Sequence, residues 1–521
     1  PPVAILRGQA EDSLNFVRVS ASAVPLAPRG WASPCTMPTL GLFSSALYRR
    51  RCTMEPHDRG DDPIGTEARG AGGARAAPCC GRRPPRAGVR RLGTGLASLL
   101  TILSAFAPGS VGCPSGAAAV DLEAPTETRY RLAPALTFGA EVELAYEFRR
   151  SLEREDRREA DESSLTPELS LAASFDPNPA FQVFLNVALL QEFLLEGAGG
   201  RSEEVALELT EAFLRLGLLS DGPSVQVGRQ RFEDEREWLY DEELDALRLR
   251  YARGALAAEL SVSRDGLARK DLLRPSDGER IDNYALGATY RLPRSIELEG
   301  YAIVRNDRAA DRRRPVFLGL RSRGEPVEDL DYWLELGYVG GRDGPERIRG
   351  WGLDLGAIYE WQIPPRPAVT LGFAFGSGDR DPDDGLDRSF RQTGLQDNEG
   401  DFGGSASFKH YGEVLDPELS NLVIFTAGTG VRPGERFSLD LVYHYYLQHR
   451  PSEALRDAGI DAEPCGCSRR LGSAVDLILG LEEIRGRVDA LAVLGYLSPG
   501  AAFPEGPDGA WVVRAEVQFR F

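Results

Sequence analysis

From Leu136 a long alternation of apolar and polar residues begins. Leu136, Phe138, Ala140, Val142, Leu144, Tyr146 and Phe148 fall on one side of an extended segment, and Thr137, Gly139, Glu141, Glu143, Ala145, Glu147 and Arg149 on the other. Segments with the same period of two recur at about 166–175, 181–193, 205–216, 224–232, 244–252, 255–263, 284–291, 296–304, 315–321, 331–339, 351–361, 368–376, 419–430, 437–447, 473–483, 487–497 and 510–521, which makes 18 predicted strands. The last carries Trp511, Val513, Ala515, Val517, Phe519 and Phe521 on one face and Arg514, Glu516, Gln518 and Arg520 on the other. An apolar row backed by an ionic row suits a wall with hydrocarbon outside and water inside. The pattern predicts an all-β fold, an 18-stranded antiparallel transmembrane β-barrel of the outer-membrane type.

The connections alternate too. Short ones carry turn residues, as at Asp176-Pro-Asn-Pro179, Arg253-Gly254, Ile363-Pro-Pro365 and Arg432-Pro-Gly434. Between them stand long polar ones: Arg150 to Ser164, Glu196 to Glu204, Phe232 to Glu243, Arg264 to Asn283, Gly376 to Glu418 and Gln448 to Gly472. Short periplasmic turns and long outer loops are expected of such a barrel, with Leu320 to Asp331 as the connection too long for its side. Trp238, Tyr290, Tyr332, Trp351, Tyr359, Trp361, Tyr496 and Trp511 stand near strand ends, where interfacial girdles would hold them.

Charge and sequence bias divide the chain. Residues 1–119 hold 14 basic and 7 acidic side chains of the chain's 61 and 79, so the remainder carries a net charge of −25. That field is unfavourable to polyanions unless local basic rings override it, and it argues against nucleic acid as a partner. Residues 1–85 lack a sustained period and read as a disordered or mis-assigned extension. Residues 86–119 read as a Sec signal peptide: Arg90-Arg91, the apolar run Leu92 to Ala107, then Gly116-Ala-Ala-Ala119. No later run reaches the roughly 18 apolar residues of a transmembrane helix, so insertion must be by strands. Beyond the leader only Cys465 and Cys467 remain, too few for a structural zinc site and suited to a loop disulfide or inert thiols.

Two stretches resemble the alginate export family of outer-membrane porins. One is Gly228-Arg-Gln-Arg231-Phe-Glu-Asp-Glu-Arg-Glu-Trp238-Leu-Tyr-Asp241-Glu-Glu-Leu-Asp245-Ala-Leu247. The other runs Gly376-Ser-Gly378, Phe390-Arg-Gln-Thr-Gly-Leu395-Gln-Asp-Asn398, Tyr411-Gly-Glu413 and Pro417-Glu-Leu-Ser-Asn-Leu422. The resemblance covers residues 130–521 and implies an 18-stranded barrel that passes an acidic exopolysaccharide across the outer membrane, with lumen arginines meeting uronate carboxylates. By motif position it implies that role for Arg231, and for Asp241 the role of an acid that holds such an arginine in place. Thr166 and Thr210 stand where the family pattern is basic, Leu491 is neutral, and only Glu482 to Gly486 stands where the family can carry a long periplasmic turn.

A mobile polyanion needs weak, repeated charge contacts, and arginine gives planar two-point contacts to carboxylate. Inward parity singles out Arg229, Arg231, Arg248, Arg250, Arg291, Arg305, Arg514 and Arg520; with Asp241, the first four form the candidate pathway. Val225 and Val227 share the parity of Arg229 and Arg231, so a bulge at Gly228 is expected. Alternatively each arginine simply pairs with a lumen carboxylate. The run Asp379-Arg-Asp-Pro-Asp-Asp-Gly385 departs from a calcium loop and reads as solvated. No enzyme signature is found and no cofactor is implied. The expected function is passive, non-catalytic passage of an anionic polysaccharide, alginate or a related polyuronate, from periplasm to exterior. Partners are outer-membrane lipid and periplasmic polymer-synthesis and secretion proteins. An uptake porin for small acidic solutes and a secreted all-β glycan-binding or glycan-cleaving protein are the alternatives.

Overall fold

A computed structural model describes residues 128–150, 161–197, 200–218, 222–274, 281–308, 313–381, 383–402, 404, 406–434, 436–460, 462–484, 487–503 and 508–521. The expected extension, 1–85, and the expected signal peptide, 86–119, lie outside the described residues. Eighteen antiparallel strands form the wall: β1 Leu136–Arg150, β2 Asp161–Asn178, β3 Phe181–Glu196, β4 Ser202–Gly217, β5 Ser224–Glu233, β6 Asp241–Arg253, β7 Leu256–Arg264, β8 Ile281–Arg291, β9 Glu297–Asp307, β10 Arg314–Val327, β11 Leu330–Asp343, β12 Glu346–Glu360, β13 Pro367–Gly376, β14 Leu422–Gly434, β15 Phe437–Gln448, β16 Arg470–Ile484, β17 Val488–Pro499 and β18 Ala510–Arg520. Each pairs with the next, and β1 pairs with β18 from Glu141↔Arg520 to Arg150↔Trp511, which closes the barrel. Closure leaves no backbone edge to be satisfied by lipid.

The alternation sorts side chains as the pattern requires. Leu320 and Leu371 point outward and are each 62% exposed, whereas Asp476, two strands from the chain end, points inward and is 0% exposed. Tyr338 and Trp351, and Tyr496 and Trp511, pack as tilted pairs towards the long-loop end, with ring centroids 4.6 and 4.3 Å apart. Tyr359 and Trp361 pair at the short-turn end, 4.9 Å apart. These are the two interfacial girdles. Trp238 does not belong to them: it is 3% exposed and lies inside the lumen. The long turn expected between β10 and β11 is also absent, because both strands run on until only Glu328 and Asp329 join them.

Gly376 to Glu418, expected as an outer loop, folds into the barrel. Phe390, Phe402, Phe408, Tyr411, Leu415 and Leu419 are all buried. The segment reaches almost to the short-turn end, where Arg432 Nη2 donates to the Phe402 carbonyl at 3.1 Å. There Phe402 and Phe408 pack with inward Trp333, Ile358, Ile478 and Leu491. Nearer the long-loop end the segment is joined by residues 449–469, for example through Gly459 N donating to the Leu415 carbonyl at 2.7 Å. Apolar side chains in these loops lose water only by meeting one another in the lumen, because the outer wall is already committed to lipid.

Candidate functional site

The site residues sit where β5 and β6 leave the wall. Gly228 has φ +124°, and a Cβ there would fall 2.2 Å from the Ala212 carbonyl oxygen, so only glycine fits. The expected bulge does not occur, since register runs unshifted from Val227↔Leu247 through Arg229↔Asp245. Gly228 is a bend instead. On the lipid side of it Val227 and Leu247 are 47% and 51% exposed; beyond it Arg229 and Asp245, on the same face, are 5% and 8% exposed. Pairing of β4 with β5 stops at Ala212↔Arg229. The freed edge of β4 is taken by another segment: Leu209 N donates to the Lys270 carbonyl at 2.9 Å, and Leu272 N to the Leu207 carbonyl at 2.7 Å.

Arg229 fastens this exchange. Its Nε and Nη2 donate to the two carboxylate oxygens of Asp245 at 3.1 and 3.0 Å, and its remaining hydrogens go to the carbonyls of Leu209, Arg269 and Ala268. Arg231 pairs with Asp241 at 2.9 Å and Glu233 at 2.8 Å. Arg248 donates to Glu259 at 3.0 Å and to the Arg231 carbonyl at 2.9 Å, with its guanidinium 4.1 Å from the Phe232 ring centre. Arg250 reaches the other oxygen of Glu259 at 2.9 Å. The structure therefore brings Arg231, Asp241, Arg248 and Arg250 into one linked set and puts Arg229 against the segment around Lys270. Of the other inward arginines, Arg291 pairs with Glu297, Arg514 with Glu516 and Arg520 with Asp489, while Arg305 donates to the Thr393 carbonyl.

The hairpin tip reaches through the lumen to β10, β11 and β12. Arg321 of β10 pairs with Asp234 at 2.8 Å and also with Glu335, and Arg323 pairs with Glu235. Arg236 pairs with Asp354 at 3.4 Å and lies 4.2 Å from the Trp333 ring centre. Trp238 stacks on Phe390 at 5.7 Å and donates from Nε1 to the Tyr411 hydroxyl at 2.9 Å. The tip and the inward-folded segment after β13 thus form one body. Sequence reasoning missed Arg321, Asp234 and Tyr411; the density of aromatics in 390–411, unusual for a solvated loop, was the signal for the last.

Buried charge in this body has shifted titration. Burial pushes the Glu418 carboxyl up to about 7, with Arg456 opposing, and pushes the His410 imidazole well below its usual range, with Arg236 and Lys409 adding. Glu237, Asp397 and Glu399 converge closely enough to be candidate cation ligands, but Lys409 already pairs with Asp397 and lies 3.6 Å from Glu399. In the Asp379–Gly385 run, Asp379 and Asp384 both pair with Arg388. Cys465 and Cys467 form a disulfide. Thr166 and Leu491 face inward and are 8% and 2% exposed, while Thr210 Oγ1 donates to the Asn186 carbonyl at 3.2 Å.

A family model described as Alginate export matches residues 135–510. The alginate production protein AlgE of Pseudomonas aeruginosa is 28% identical over 353 residues, covering 57% of this chain and 70% of that protein. AlgE of Azotobacter vinelandii is 34% identical over 140 residues, covering 25% of this chain and 28% of its own. Among solved structures, OccK5 (OpdH) of Pseudomonas aeruginosa has a TM-score of 0.50 at 10% identity, covering 74% of this chain and 98% of its own. OccAB3 of Acinetobacter baumannii has a TM-score of 0.50 at 11% identity, covering 74% and 99%. These two likenesses concern the fold.

Proposed function

The chain belongs to the alginate export family and is an integral outer-membrane channel, and from that premise we propose that it passes an acidic exopolysaccharide, alginate or a related polyuronate, from periplasm to exterior. Passage is passive and non-catalytic, with polymer synthesis or the gradient supplying the drive. The observation that carries the reading is the linked set in the lumen: Arg231, Arg248 and Arg250, each held by Asp241, Glu233 or Glu259. A guanidinium already shared with a carboxylate offers a passing uronate a shallow well, and shallow wells in series permit movement. Arg229, with every donor direction taken, braces the hairpin rather than touching polymer. Periplasmic synthesis and secretion proteins are the expected partners.

The test is made in a polymer-producing cell. Deleting the gene should leave uronate-containing polymer in the periplasm and abolish its release, and Arg231→Glu should lower the anion preference of the purified channel in planar bilayers. Undiminished release from the deletion strain would refute export by this protein.

A further inference from the structure

We propose that the cavity around Arg215 at the short-turn rim binds one carboxylated sugar residue of the polymer, the first contact it makes on the way in; this rests on the export reading above. The cavity has a volume of about 360 Å³ and is lined by Asp176, Asn178, Gln182 and Arg215 among others, which is within the roughly 300–1,000 Å³ of small-ligand sites. Arg215 lies on β4 directly opposite Gln182 of β3 and Gln226 of β5. Gln182 is 7% exposed, while its neighbours Val183 and Leu185 face lipid at 41% and 45%, so the Gln182–Arg215 pair faces the lumen.

Two observations point to a ligand. The first concerns Arg215: among the described residues it forms neither a hydrogen bond nor an ion pair, whereas inward Arg248, Arg250, Arg291, Arg321, Arg514 and Arg520 are each engaged by a carboxylate. Its guanidinium feels the Asp176 carboxylate through space without being bonded to it, and beside a cavity it is a two-point donor for a carboxylate from outside. The second is the carbonyl oxygen of Gln182, which is buried without a hydrogen-bond partner although its amide nitrogen donates to Ser174 Oγ at 3.1 Å. A small turn of the side chain toward the cavity would offer that acceptor to a ligand hydroxyl.

The same oxygen network is anchored: Ser174 Oγ donates to Asp176 Oδ2 at 2.6 Å, and Asn178 Oδ1 accepts from Ala180 N at 3.0 Å. Asp176 keeps its second oxygen for a hydroxyl, and repels a bare anion that brings no hydroxyl. One cation with neutral and acidic hydroxyl acceptors around it matches a uronate better than either a neutral sugar or a simple anion. The turn at Pro179 and Ala180 puts the cavity on the periplasmic side.

The experiment uses the full-length channel in planar bilayers, with a mannuronate hexamer or a neutral maltohexaose added on the periplasmic side. Arg215→Gln and Arg215→Glu are each expected to cut the rate of block by the mannuronate hexamer about tenfold or more, the loss of one charge-assisted contact, and to leave open conductance and maltohexaose events unchanged. Block by the mannuronate hexamer at the wild-type rate in both variants overturns this site and leaves the export reading intact. Loss of maltohexaose events to the same degree overturns the assignment to a uronate. Absence of any block by mannuronate in the wild type overturns this site, while the export reading stands or falls with polymer release from the deletion strain.

Discussion

Removing the indole of Trp238 should release the hairpin tip and open the lumen. Trp238 is 3% exposed, stacks on Phe390 and donates to Tyr411, and its Cη2 lies 2.7 Å from where a Cβ on Gly337 would stand. Truncation of a buried tryptophan to alanine costs about 3–5 kcal/mol. The Tyr411 hydroxyl keeps its own bond to Asp354 at 3.1 Å, so no donor is orphaned and the lower figure applies. About 3 kcal/mol raises the population of the detached tip about a hundredfold. The strand pairing of the wall does not involve this residue, so heat-modifiable gel mobility should match the wild type. In planar bilayers Trp238→Ala should show frequent large-conductance openings that the wild type shows rarely. A folded variant whose conductance trace is indistinguishable from wild type would refute the idea that this body occludes the lumen. Gly337→Ala attacks the same contact from the wall and should act in the same direction.

Two further outcomes follow from the geometry. Burial raises the Glu418 carboxyl from 4.5 to about 7, outweighing Arg456 and the bond from Gln392 N at 2.8 Å, both of which favour the ionised form, so the fold favours its protonated form. The stability it lends is therefore full below about pH 4.5 and is lost as pH rises through about 7, by up to about 3 kcal/mol. Amides of 390–420, corrected for intrinsic rate, should exchange faster at about pH 8 than at about pH 5, and Glu418→Gln should flatten the difference; equal protection in wild type at both values counts against the assignment. Gly228→Val puts a branched side chain at φ +124° against the Ala212 carbonyl and should cost about 1–3 kcal/mol or more. Thermal loss of the folded gel band should come at lower temperature, and an unchanged midpoint would mean the bend accommodates a side chain.

How much of this was legible beforehand differs between wall and lumen. The strands, their number and the side of each that meets lipid were written locally: an alternation such as Val142, Leu144 against Glu141, Glu143 needs no knowledge of distant residues, because hydrocarbon and water each select their own row. Parity also marked Arg248 and Arg250 as inward, and it carried enough to mark Arg215. The destination of the loops was not local. Trp238 meets Tyr411 across 173 positions, and Arg321 meets Asp234 across 87. Such pairs form only once the closed wall has denied the loop aromatics any other dry place, so tertiary structure alone decided that the hairpin bends inward at Gly228, that Arg229 becomes a brace and that the chain after β13 folds into the lumen.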